Sequence, residues 1–147
     1  MLNNVQHIFL RYFYLGNSKY APGTVTSFCI ALGWFFIPNI FFLQLLIFLF
    51  HVILGFYFCY KFILTSNDKD PSYIVIDEVV GMMLALFLVP KTIEAYTLSF
   101  LLFRLLDIFK PSIIDKSQNF NFGIGIMLDD LVAGFLVLLI INGLYVL

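Results

Sequence analysis

Charged residues are scarce in this chain of 147 residues. Asp, Glu, Lys and Arg make up only 12% of the sequence, whereas 62% is hydrophobic. A soluble domain is typically about 25% charged and about 45–50% apolar, so this balance indicates a membrane protein. The formal net charge is −1 and no run of basic residues occurs, which argues against nucleic acid as a partner.

Cysteine and histidine are also rare, with two residues of each. Cys29 and Cys59 lie in apolar stretches and form no C-x-x-C pair, which argues against a zinc site or a disulfide framework. Neither is followed by an arginine at the spacing of a cysteine-dependent phosphatase loop. His7 falls in a surface segment and His51 in the middle of an apolar stretch, where we expect a packed, hydrogen-bonded side chain. Phosphatase chemistry based on a cysteine or histidine nucleophile is therefore set aside.

Long apolar stretches dominate what is present. The clearest, 40–64, would extend about 37 Å as a helix and so exceed the roughly 30 Å of a bilayer core. Segment 3–14 has apolar residues at helical spacing, which predicts an amphipathic helix on the membrane surface. We expect an all-α fold: one domain over 1–147, forming a compact membrane-embedded bundle of about five apolar helices plus this interfacial helix. The five predicted apolar helices cover 25–37, 40–64, 74–89, 92–110 and 128–147.

The basic residues predict an orientation. If the helices alternate in direction, all Lys and Arg residues except Lys91 lie at or near the side that holds the N-terminal segment. The positive-inside rule makes that side cytoplasmic. Segments 25–37 and 76–89 are short for complete spans, and a re-entrant segment there would disturb the alternation. The alternation brings eight ionisable residues to one level of the bundle: Lys19, Asp77, Glu78, Arg104, Asp107, Lys110, Asp129 and Asp130.

Three of these residues are spaced three apart near the end of one predicted helix. Arg104, Asp107 and Lys110 therefore share a helix face. One interpretation is an intrahelical ladder that extends its charged ends to the interface. The other is a site in which the cations hold phosphate and the aspartate holds a metal. Arginine suits phosphate because its planar fork binds two oxygens at once.

Two pairs of adjacent acids, Asp77-Glu78 and Asp129-Asp130, each stand near the predicted start of an apolar helix. Helix capping and the helix dipole would account for a single acid at such a position. Four acids at one level exceed that need, and they repel one another. A divalent cation is a natural counter-charge, and Mg²⁺ prefers oxygen ligands. Gly81 and Gly134, which follow these pairs, are expected to let neighbouring helices approach closely.

The stretch "YAPGTVTS" supplies a weaker signal. Pro22-Gly23 predicts a tight turn, after which Thr24 would cap the next helix. Backbone N–H groups at such a helix start can bind phosphate. Ordinary capping without a ligand explains the same pattern.

Three blocks occur in order: "APGTVTS", "VIDEVVGM" and "LFRLLDIFKPSIID…GIGIMLDDLVAG". In this order and spacing the chain resembles the phosphatidylglycerophosphatase A family, from about residue 16 to residue 134. The resemblance implies a Mg²⁺-dependent phosphatase that converts phosphatidylglycerol phosphate to phosphatidylglycerol at the cytoplasmic face of a bacterial inner membrane, as a multi-pass protein. Its phospholipid substrate and the membrane are the expected partners, and the oligomeric state stays open.

The resemblance also suggests roles for the residues. Asp107, Asp129, Asp130 and Arg104 form the expected catalytic set, and either water or an aspartate is the nucleophile. The residues expected to bind Mg²⁺ are Asp77, Glu78, Asp107, Asp129 and Asp130. Those expected to bind the substrate phosphate are Arg104, Lys110, Lys19 and Thr24.

Two alternative hypotheses assign the chain no phosphatase activity. A small divalent-cation transporter or channel component would have an acidic site, but its acids should line a path near the bilayer midplane. A lipid-binding structural subunit would give no reason for paired acids in two helix starts.

Overall fold

The computed structural model describes residues 4–66, 71–110 and 124–146 of the chain. Within these ranges every regular element is helical, in agreement with the all-α expectation, and a 3₁₀ turn lies at Leu15–Asn17. The α-helices are α1 (Asn4–Leu10), α2 (Pro22–Phe35), α3 (Phe41–Thr65), α4 (Ile76–Ala85), α5 (Ile93–Phe109) and α6 (Ile124–Val146).

Two of the described helices, α3 and α6, are long and apolar enough to cross a membrane. Few side chains of α3 are buried against the protein, and its exposed surface consists largely of Phe, Leu, Ile and Tyr. A monomeric soluble protein rarely exposes so large an apolar surface, whereas lipid would cover it at no cost. The long helices therefore agree with the membrane character that the composition indicates.

The core forms where the short helix α4 packs across α6. Val79, Val80 and Met82 of α4 and Val137 of α6 are completely buried. The two helices approach so closely at Gly81 and Gly134 that a Cβ on Gly134 would overlap the Gly81 carbonyl oxygen. The prediction that these glycines permit close helix approach is confirmed.

The bounds of α3 and α5 agree with the predictions to within one residue. Helix α5 begins after Thr92, whose hydroxyl accepts a hydrogen bond from the Ala95 N–H at 3.2 Å. It ends at Phe109, and the next residue, Lys110, takes a left-handed conformation with φ of 40°. Residues 111–123 lie outside the described ranges, as do Lys69 and Lys116 of the predicted charge bias.

Two predicted helix starts are wrong. Helix α2 begins at Pro22, because proline is well suited to the first turn of a helix, where its missing N–H costs nothing. Thr24 is therefore inside the helix and does not cap it. Helix α6 begins at Ile124, so Asp129 and Asp130 lie more than one turn inside it and capping does not explain them.

The N-terminal helix is shorter than expected. Helix α1 ends at Leu10, and Tyr12, Phe13 and Tyr14 follow with positive φ. Its buried positions also differ from the predicted apolar face. Val5 is 65% exposed, whereas Gln6 is buried and donates a hydrogen bond to the Phe58 carbonyl.

The hydrogen bonds of Gln44 join two interhelical connections at the end of the bundle opposite to Asp77, Glu78, Asp129 and Asp130. Gln44 is completely buried. Its Nε2 donates to the Pro38 carbonyl and to Asn39 Oδ1, and its Oε1 accepts from the Leu88 N–H at 2.8 Å. A buried amide with its hydrogen bonds satisfied in this way fixes the connections between α2 and α3 and between α4 and α5.

The expectation of a packed, hydrogen-bonded side chain at His51 is confirmed. His51 is partly buried, with Nδ1 2.8 Å from the Ile47 carbonyl oxygen and Nε2 3.2 Å from the Tyr12 hydroxyl. Cys59 is completely buried, and Cys29 is half-buried.

Candidate functional site

A cavity of about 490 Å³ lies where α2 and α4 begin, α5 ends and the first turns of α6 pass. We call it the site cavity. It brings together residues that are up to 109 positions apart, from Ala21 to Asp130. The ionisable residues that line it within the described ranges are Asp77, Glu78, Arg104, Asp107, Lys110, Asp129 and Asp130. Seven of the eight ionisable residues expected at one level thus share one cavity, and Lys19 is the exception.

Each cation in the site cavity pairs with an aspartate. Arg104 Nη1 lies 2.5 Å from Asp107 Oδ2 and 4.0 Å from Glu78 Oε1. Lys110 Nζ lies 2.8 Å from Asp129 Oδ2. Only the Arg104–Asp107 half of the expected intrahelical ladder forms, since Lys110 ends α5 in a left-handed conformation and bonds across to α6.

The Lys110–Asp129 pair keeps the ammonium group charged. Burial disfavours the charged form of Lys110, but the hydrogen bond and negative charge of Asp129 outweigh burial and raise the Lys110 pKa. The site cavity therefore contains two fixed positive charges at its edge, on Arg104 and Lys110, both close to the end of α5.

Three other carboxyl groups lie together, and the ion pair that they form within the described ranges is the 4.0 Å contact between Glu78 and Arg104. Ligand oxygens of Asp77, Glu78 and Asp130 are all within 4.8 Å of one another. We call these three residues the acid cluster. Asp77 Oδ1 and Glu78 Oε2 are buried, and no described residue hydrogen-bonds to either atom.

The acid cluster fits a divalent cation. Carboxylates at this separation repel one another, and they have lost part of their hydration because Asp130 is buried and Asp77 and Glu78 are partly buried. Both effects are costly unless a counter-charge is present. Mg²⁺ takes oxygen ligands and needs only a few carboxylates, because it retains part of its water shell. The two orphaned oxygens are thus available as ligands, while Asp107 and Asp129 are already engaged by Arg104 and Lys110.

One component of the wall was missed at the sequence level. A Cβ on Gly23 would overlap Glu78 Oε1 and lie 3.2 Å from Arg104 Nη1, so α2 reaches the charged groups only because this residue has no side chain. The available signal was a glycine directly after the proline that starts an apolar helix. Thr24, on the next position of α2, and the exposed Lys19 are not part of the wall.

The fold and the site cavity define a helical membrane protein whose acid cluster, beside Arg104 and Lys110, is suited to metal-assisted phosphate chemistry. The family model for phosphatidylglycerophosphatase A matches residues 8–145. The chain therefore belongs to the phosphatidylglycerophosphatase A family, which confirms the resemblance carried by the three sequence blocks and makes it a phosphatase of that type.

Two relatives illustrate the match. The chain is 32% identical to phosphatidylglycerophosphatase A of Escherichia coli over 138 residues, which are 90% of this chain and 79% of that protein. It is 44% identical over 69 residues to a Bacteroides thetaiotaomicron protein named "Putative phosphatidylinositol-3-phosphatase", covering 45% of this chain and 43% of that relative. This second match thus spans less than half of the Bacteroides protein. No solved structure matches the chain.

Proposed function

We propose that this chain hydrolyses phosphatidylglycerol phosphate to phosphatidylglycerol and phosphate, with Mg²⁺ held by the acid cluster. The observation that carries the proposal is the position of Asp77, Glu78 and Asp130 beside two ion-paired cations in one cavity. Membership of the phosphatidylglycerophosphatase A family supports the lipid phosphate substrate and argues against a cation transporter.

The carboxylates divide into two groups with different tasks. Asp77, Glu78 and Asp130 would hold Mg²⁺, whereas Asp107 and Asp129 would position Arg104 and Lys110. A bound Mg²⁺ supplies charge neutralisation for the phosphate and lowers the pKa of bound water.

Arg104 and Lys110 bind the phosphoryl oxygens. Asp107 orients the Arg104 guanidinium and Asp129 orients the Lys110 ammonium, so both cations are positioned before substrate arrives. In the hydrolysis itself, water attacks phosphorus and the bond from phosphorus to the glycerol oxygen breaks. Asp107 or Asp129 takes a proton from the water and then gives that proton to the glycerol oxygen, so that phosphatidylglycerol leaves as the alcohol.

The same geometry supports a placement in the membrane. We propose a single-domain bundle of five apolar helices, α2 to α6, with α1 at the interface and the site cavity at the cytoplasmic face of a bacterial inner membrane. Helices α3 and α6 cross it, and the shorter α2 and α4 carry residues to headgroup depth. Arg11 and Lys110 at the cavity end support this orientation, while Lys91 lies at the opposite end.

The test is phosphate release by the purified protein in detergent. Phosphatidylglycerol phosphate and phosphatidylinositol 3-phosphate are compared as substrates, each with Mg²⁺ and with a chelator. We expect release from the first substrate only with Mg²⁺, and a loss of at least about 10²-fold in Asp130→Asn. Glu94→Gln, an exposed acid at the other end of α5, is the matched control and should retain full activity.

Two outcomes would contradict the proposal. Phosphate release that persists in the presence of the chelator would show that the reaction does not require Mg²⁺. Preferential release of phosphate from phosphatidylinositol 3-phosphate would show that phosphatidylglycerol phosphate is not the preferred substrate. It would favour the activity for which the Bacteroides relative is named.

A further inference from the structure

An apolar groove of about 490 Å³ runs between α2 and α5, on the lipid-facing side of the protein. We call it the acyl groove, for the occupant argued below. Polar atoms are nearly absent from its surface. Phe28, Ala31 and Phe35 form one wall, and Tyr96, Phe100 and Leu101 form the other.

The acyl groove lies further along the same two helices whose ends line the site cavity. Gly23 of α2 and Arg104 of α5 lie against each other in the cavity wall. About one turn further along each helix, the rings of Phe28 and Phe100 pack edge to face with their centroids 6.0 Å apart. Because α2 leads away from the site cavity and α5 leads towards it, the groove starts where the polar wall ends.

The length of the groove is set by a second aromatic pair. Phe35 and Tyr96 pack edge to face at 5.2 Å and connect α2 to α5 at the far end. Beside this end, the Lys91 ammonium donates a hydrogen bond to the Tyr96 hydroxyl. From Phe28 to Phe35 the groove extends about 10 Å along the helix axis.

A small residue gives the groove its depth. Ala31 lies between the two aromatic pairs and is 8% exposed, so a methyl group forms the floor. The rims are open to lipid: Phe28, Leu32 and Leu101 are each about half exposed. A chain lying in the groove would thus contact protein on its inner side and bilayer on its outer side.

We propose that the acyl groove binds one acyl chain of the phospholipid substrate while the substrate phosphate lies in the site cavity. The proposal rests on the proposed function, because only a lipid substrate joins a phosphate to an acyl chain. Lipid is as apolar as the groove, so the groove gives little transfer energy. It acts by packing and orientation, and so it aligns the phosphate with Arg104 and Lys110.

Two substitutions, one in each wall, test the proposal by filling the groove with a larger side chain. Ala31→Phe raises the floor, and Thr97→Phe fills it from an exposed position on α5, where misfolding is less of a concern. Leu46→Phe, on the lipid-facing surface of α3, is the matched control. Each variant is assayed with diacyl phosphatidylglycerol phosphate and with the same headgroup after removal of both acyl chains.

We expect both groove variants to lose about tenfold in kcat/KM for the diacyl substrate, mainly through kcat because alignment of the phosphate is lost, with no change for the deacylated headgroup. Leu46→Phe should match the wild type on both. The proposal is overturned if the groove variants match the wild type on the diacyl substrate, or if they lose equally on both substrates.

A binding measurement separates this proposal from the proposed function. Phosphatidylglycerol phosphate with a photoreactive group on one acyl chain is crosslinked to the wild type, with unlabelled phosphatidylglycerol phosphate as competitor. Competed labelling concentrated on α2 and α5 supports the groove, and equal labelling of α3 overturns it. If the wild type releases no phosphate from either substrate, the proposed function fails, and the crosslinking result still decides the groove.

Discussion

The crossing of α4 and α6 at Gly81 and Gly134 gives the sharpest mechanical prediction. Gly81 follows Asp77 by four residues and Gly134 follows Asp130 by four residues, so the crossing lies one turn below the acid cluster on both helices. A Cβ on Gly134 would lie 3.0 Å from the Gly81 carbonyl carbon and 3.2 Å from its Cα, and it would overlap the carbonyl oxygen. Because these are backbone atoms, no side chain can move aside.

Gly134→Ala should therefore separate the two helices by about 1 Å. Overpacking of this kind costs about 1–3 kcal/mol, offset in part by the roughly 1 kcal/mol that alanine gains over glycine in a helix. The effect on activity should be larger, since the separation moves Asp77 and Glu78 away from Asp130. A misplacement of about 1 Å at a catalytic site can lower activity by about 10²-fold.

The assay compares Mg²⁺-dependent phosphate release and the thermal midpoint in detergent. Gly143→Ala, further along α6, is the matched control because no atom lies within 4 Å of its Cβ position. We expect it to retain wild-type activity and stability or to gain slightly in stability. Wild-type activity and an unchanged midpoint in Gly134→Ala would refute the claim that close helix approach sets the acid cluster.

Three further predictions address other parts of the structure. Gln44→Leu leaves the Leu88 N–H without its acceptor and should lower the free energy of unfolding by about 1–3 kcal/mol with kcat unchanged, measured by chemical denaturation beside activity. Arg104→Lys keeps the charge but loses the planar fork, so kcat/KM should fall at least about tenfold, and wild-type kinetics would argue against direct phosphate binding. Lys19→Ala removes an exposed cation outside the site cavity and should change kcat/KM by less than about twofold, and a large loss would restore the phosphate contact predicted from sequence.

The helices that the sequence predicted best are those with clear boundary signals. Pro38-Asn39 precedes α3, and Thr92 supplies an N-cap to α5. Helix α6 begins four residues before its predicted start, because Gly125, which is typical of a loop, costs only about 1 kcal/mol inside a helix. Helix α2 also begins before its predicted start, because Pro22-Gly23 forms its first turn and not a separate turn before it.

The sequence predicts which residues line the site cavity, but it does not predict which of their side chains contact one another. Antiparallel alternation of helices brings the ends of α4, α5 and α6 to one level, which follows from order and length alone. Which side chains then meet depends on the rotation of each helix about its axis. The sequence therefore gave no means of pairing Lys110 with Asp129 across helices, or of placing Gly23 against Glu78.

The central claim, that Asp77, Glu78 and Asp130 hold a divalent cation, is tested most directly by metal binding. Mn²⁺, a paramagnetic substitute for Mg²⁺, is titrated into the purified protein in detergent and followed by electron paramagnetic resonance. We expect saturable binding that Mg²⁺ displaces, that is lost in Asp77→Asn, and that is unchanged in Glu94→Gln. Equal binding by folded Asp77→Asn and wild-type protein, or no binding by the wild type, would contradict it.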